Sequence, residues 1–198
     1  MLIVIRGMLL IMIHSFLFLF DQTDWKLSLE KEGIQVYTRE TTQSPVNDSK
    51  AVVLIPNVDL DQVVTFFLDI DQHKEWMYST EKSQLLRDEE DKKLAYYQAN
   101  APWPVTDRDI VSEFTIRREP DRCIIIGQAQ PTLLPTREDM VRITELQTEW
   151  TFEREERGVR VTYISQMHPG GSIPAWLANM TATESPFNSL SELRTSFR

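Results

Sequence analysis

Three histidines and one cysteine are the side chains with which this 198-residue sequence could carry out proton transfer, nucleophilic attack or metal ligation. Acid–base work needs a donor and an acceptor poised together, and a zinc site needs three or four ligands at short, recurring spacings. The sequence offers neither pattern. His14 sits in an apolar leader, His73 lies in Asp71-Gln72-His73-Lys74-Glu75 and reads as exposed, and His168 precedes Pro169-Gly170-Gly171. Cys123 is alone, which excludes an internal disulfide and a thiolate cluster. No catalytic residue, metal or cofactor is therefore expected, and the chain reads as non-enzymatic.

Charge narrows the partner. With 21 basic against 30 acidic residues the formal net charge is −9, and no basic block offsets it. A phosphate backbone would be repelled, so nucleic acid is not an expected partner. Anionic lipid headgroups would be repelled as well, and any transient membrane contact needs a local apolar or basic patch, of which the sequence shows no basic one. Nothing in the sequence speaks to oligomeric state.

The elements that must position a site begin after a distinct leader. Arg6 is followed by the apolar run Met8 to Phe20, interrupted by His14 and Ser15. Its length falls short of the roughly 20 residues of a spanning helix and suits a secretory signal peptide. Phe18, Leu19 and Phe20 stand where small residues would precede cleavage. Three readings thus stand: export to the periplasm or medium with cleavage, an uncleaved N-terminal anchor, or a misplaced start. Residues 1–20 are assigned to this leader and residues 21–198 to one domain, a length that suits a single core.

Within that domain most segments alternate like strands. Gly33 to Arg39 and Ala51 to Ile55 are two short strands, and Asp59 with Gln62 forms a capping-box pattern opening a helix over about 59–70. Ser83–Asp88 with Leu94–Ala101, and Ile110–Arg117 with Cys123–Gln130, read as two hairpins. Val141–Glu155 is long enough for one extended strand, and Val159, Val161, Tyr163 and Met167 share a face of the next. Ser172 can cap a long final helix whose stripe is Trp176, Met180, Phe187, Leu190 and Phe197, with Pro186 expected to kink or split it and Ser185 available as a second cap. The class is α+β: an antiparallel sheet against which a C-terminal helix buries its stripe.

Three local motifs resemble the START family of lipid-transfer domains, within the helix-grip fold. They are Gly33-Ile34-Gln35-Val36-Tyr37-Thr38-Arg39, then Pro102-Trp103-Pro104-Val105-Thr106-Asp107-Arg108-Asp109, then Pro169-Gly170-Gly171-Ser172-Ile173-Pro174-Ala175-Trp176-Leu177, in matching order and spacing. The resemblance implies a curved antiparallel sheet wrapped around the C-terminal helix, with an internal apolar cavity for which that helix is the lid. It implies non-catalytic binding, and transfer, of a lipid or other hydrophobic molecule. Cavity-based cyclases or hydrolases of the same fold, and a ligand-sensing interaction module, are the alternatives.

On that resemblance Phe114, Trp150, Tyr163, Met167, Trp176 and Met180 are candidate wall and lid residues, with ordinary core packing as the competing role. Tyr96 and Tyr97 point to opposite faces, so one of them, taken as Tyr97, can face the cavity. Trp103, between two prolines, either plugs the sheet edge or touches ligand. Arg108 either ties the Pro-Trp-Pro loop to carbonyls or a carboxylate, or anchors a ligand headgroup. Six residues beyond Arg108, where some sterol-binding members carry a basic residue, this chain has Phe114, which speaks against a sterol.

Overall fold

The computed structural model describes residues 25–198, so the leader expected over residues 1–20 lies outside the described residues. Ten strands form one sheet: β1 (Lys26–Lys31), β2 (Ile34–Arg39), β3 (Asp48–Pro56), β4 (Thr80–Asp88), β5 (Lys92–Ala99), β6 (Arg108–Glu119), β7 (Arg122–Ala129), β8 (Val141–Arg142), β9 (Glu145–Glu155) and β10 (Gly158–His168). Among the described residues three α-helices accompany them: α1 (Leu60–Leu68), α2 (His73–Trp76) and α3 (Ala175–Thr195). Strand order is β1-β2-β3-β10-β9-β7-β6-β5-β4, antiparallel throughout, with β8 added parallel to the start of β6. The expected α+β architecture, a sheet with a C-terminal helix against it, is the architecture found.

The two-residue period of the strands decides which side chains face the helices. Ile34 and Val36, Ala51, Val53 and Ile55, Phe114 and Ile116, Trp150 and Phe152, and Val159 and Val161 alternate into one buried cluster. Helix α1 adds Leu60, Val63, Val64 and Phe67, a helical spacing that buries one stripe. Its start is set by the expected box, in which the Gln62 side chain accepts from the Asp59 N–H at 2.9 Å. Phe67 is the hub: its ring lies 4.9 Å from Trp150, 5.2 Å from Phe152 and 5.0 Å from His73.

Strand β1 carries no signal in the sequence, because it is an edge strand exposed along most of its length and shows no alternation, and three expected boundaries need correction. The helix over 59–70 stops at Leu68, where Asp69 leaves helical geometry at ψ 77°, and a 3-10 turn follows over Ile70–Gln72. Val141–Glu155 is two strands, since Arg142 turns to the far face of the sheet to meet Asp109 before β9 begins. Helix α3 is capped by Pro174 rather than Ser172 and runs unbroken through Pro186. Loss of one backbone bond at Pro186 is outweighed by burial on the same helix, where Leu190 and Leu193 are fully enclosed.

Candidate ligand-binding cavity

The sheet and α3 leave a space that α1 does not fill. Two neighbouring crosswise rows of inward side chains explain it. The first row runs Ala51–Tyr163–Trp150–Ile125 across β3, β10, β9 and β7 and is large in its middle. The next row along the strands is Ser49–Ser165–Thr148–Gly127, four small residues side by side. On α3 the facing positions Ala182, Ser185 and Ser189 are small too. Small opposite small at a fixed backbone spacing produces a void, and here it is a cavity of about 250 Å³.

Seven of the nine candidate residues meet at this cavity. Tyr97 from β5, Phe114 from β6, Trp150 from β9, and Tyr163 and Met167 from β10 form walls, and Met180 comes from α3. Trp150 and Tyr163 are cross-strand partners whose rings stack at 4.1 Å, with burial raising the Tyr163 phenol pKa. Phe114 lies over Gly127, its register partner on β7, where a Cβ would stand only 2.8 Å from the ring. Arg108 is the seventh, at the loop end of β6.

Trp103 and Trp176 are placed elsewhere, and this corrects the expectation for both. Trp103 is 90 % exposed at the tip of a turn closed by the Val105 N–H bonding to the Pro102 carbonyl, so it neither plugs the sheet edge nor lines the cavity. Trp176 is 55 % exposed on a face of α3 turned away from the cavity, and Leu177, one residue and about 100° on, turns inward instead. Both tryptophans nevertheless adjoin lining residues, Pro102 and Leu177.

The arginine and aspartate of the middle motif serve opposite faces, as strand alternation requires. Arg108 donates to the carbonyls of Pro169 and Gly170, each at 3.4 Å, and of Thr106, joining the loop before β6 to the turn before α3. Asp109 is wholly buried on the other face and takes two bonds of 2.8 Å from Arg142, which also donates to the carbonyls of Pro131, Leu134 and Pro135.

His73, read from the sequence as exposed, is fully buried, because Ile70 and Trp76 on either side of it turn into the core. Its Nε2 lies 2.5 Å from the Phe67 carbonyl, which can only accept, so the other ring nitrogen accepts the Tyr97 O–H at 2.9 Å. Burial lowers the His73 pKa to about 4 and pushes that of Tyr97 far up. Neither group is set to exchange protons with a ligand near neutrality. Among the described residues no cluster of three or more His, Cys, Asp or Glu side chains is placed to hold a metal ion, and no helix is long and apolar enough to cross a membrane.

A family model for the START domain matches residues 17–197. An uncharacterised protein of Pseudomonas aeruginosa is 32 % identical over 173 residues, covering 86 % of this chain and 85 % of its own length. The phosphatidylcholine transfer protein of Mus musculus is 24 % identical over 177 residues, covering 86 % of this chain and 82 % of its own. The crystal structure of a STAR-related lipid transfer protein from Xanthomonas axonopodis superposes with a TM-score of 0.81 at 37 % identity, over 88 % of this chain and 98 % of that one.

Proposed function

The chain belongs to the START domain family, and from that premise we propose that it binds and transfers a lipid or other hydrophobic molecule, without chemical change, in the cavity beneath α3. The cavity itself carries the reading: it is walled by Tyr97, Phe114, Trp150, Tyr163 and Met167, and the one buried histidine beside it has both ring nitrogens engaged. Relatives named for lipid transfer support the same conclusion.

Transfer requires the ligand to enter, and α3 is unevenly held. Its C-terminal end is pinned by Leu190, Leu193 and the bond from Arg194 to the Glu32 carbonyl at 2.6 Å, whereas Ala178 and Ala182 near its start pack in a small separate cluster with Val46. The lid therefore opens at its N-terminal end, next to the left-handed pair Gly170 and Gly171. The exposed Trp103 and Trp176 flank that end and supply the apolar patch for transient contact with a membrane. Export before function, as residues 1–20 suggest, belongs to the same proposal.

Native mass spectrometry of protein purified from its own host, followed by transfer assays between donor and acceptor vesicles, tests the reading. One intact lipid per chain and its movement between vesicles are expected. A chemically altered product would overturn the non-catalytic reading, and protein that neither carries nor acquires lipid would overturn carriage.

A further inference from the structure

Among the described residues that line the cavity, Arg108 alone is charged. It is 9 % exposed, and burial lowers its pKa from the ordinary guanidinium value, the mark of a cation short of compensation. Arg142, on the opposite face, shows what compensation looks like, with a bidentate carboxylate and three carbonyls. Arg108 has carbonyls alone. Of the two carboxylates adjacent in sequence, Asp107 accepts the Ala101 N–H at 2.8 Å and acts on Arg108 only through its field, which offsets part of the burial, while Asp109 is paired with Arg142.

A guanidinium has five N–H donors, and the bonds to Thr106, Pro169 and Gly170 use one from each nitrogen. One N–H on each terminal nitrogen is left over by these bonds, two donors for the oxygens of an acid group. Arg108 and Phe114 lie on the same face of β6, six residues apart, so about 20 Å of strand separates a cationic end of the cavity from an aromatic one. The lining contains no Asp or Glu to receive a cationic group.

From this we infer that the cavity selects amphiphiles with an anionic head, a phosphate ester or a carboxylate, bound at Arg108 with the apolar tail toward Phe114 and Trp150. The inference rests on the proposed carriage of a hydrophobic ligand and names its chemical class.

Four probes with one tail test it: hexadecyl phosphate, palmitate, hexadecanol and hexadecyltrimethylammonium, each titrated into delipidated full-length protein by calorimetry near neutral pH. Hexadecyl phosphate, palmitate or both should bind about tenfold or more tightly than hexadecanol, as a charge-assisted bidentate pair provides, and the ammonium probe most weakly. Whichever acid binds distinguishes a phosphate head from a free fatty acid. Arg108→Gln should bring the ratio of acid to hexadecanol affinity down to about one, and Arg108→Lys should restore part of the ratio. Because Arg108 also braces two loops, the wild-type ratio decides the matter should both variants misfold. Equal binding of acids and alcohol overturns the anionic class and leaves carriage standing, whereas failure of all four probes overturns both.

Discussion

The imidazole of His73 accepts a hydrogen bond from the Tyr97 hydroxyl at 2.9 Å, so a buried wall residue of the cavity is oriented by a histidine that must stay neutral to do so. The folded pKa, lowered to about 4 from the ordinary 6.5, means that the unfolded chain binds the extra proton first as pH falls. His73 therefore contributes stability above pH 6.5 that is lost between there and about 4, on the order of 3 kcal/mol in all. Urea unfolding followed from pH 7 to pH 4 should show this decline, and His73→Gln should flatten it. An unchanged slope in the variant would assign the decline to other groups.

Asp109→Asn should be far more costly than its single-atom change suggests. It leaves the Arg142 guanidinium, 5 % exposed at its side chain, without its carboxylate, a loss of about 3–5 kcal/mol. Arg142 also gathers the carbonyls of residues 131–135, so limited proteolysis should cut that segment in the variant before the rest of the fold. Joint replacement, Asp109→Leu with Arg142→Met, should recover much of the stability, since it removes both charges together.

Gly127→Ala should reshape the cavity. The added carbon would stand 2.5 Å from the Thr148 hydroxyl and 2.8 Å from the Phe114 ring, so one side chain must move toward the void. A destabilisation of about 1–3 kcal/mol in urea and a reduced content of co-purified lipid are expected. Unaltered lipid content would place the ligand away from the Phe114 wall.

Trp103→Ser should separate binding from delivery. The side chain is 90 % exposed, so unfolding free energy should stay within about 0.5 kcal/mol and lipid affinity should not change. Transfer between vesicles should slow several-fold if the ring enters the membrane interface. Equal transfer rates would remove Trp103 from the docking surface.

What the sequence revealed follows from how local each signal was. Alternation along a single strand marked β2, β3, β6 and β10, and the Asp59–Gln62 pair marked the start of α1. The burial of His73 was hidden because Asp71, Gln72, Lys74 and Glu75 around it are all exposed and a four-residue helix is too short to show a period. Spacing along α3 fits a stripe through Trp176 as well as one through Leu177, and packing against the sheet decides between them, turning Leu177 inward and Trp176 out. Most of all, Ser49, Ser165, Thr148 and Gly127 are unremarkable along the chain and become a void only when register aligns them across four strands. No one-dimensional period carries that information.

The pairing of β3 with β10 has a consequence in time. Residues 49–56 pair with residues 158–165, and α3, later still, packs on β2 and β3. During synthesis the first three strands have no stable neighbour on the β10 side until nearly the whole chain has been made. Contacts this distant impose a large loop-closure entropy before they repay it, which places the protein among slow folders, in the range of milliseconds to seconds. The nascent chain therefore stays open until its last helix emerges, and the sheet is sealed through its centre only when its two ends meet.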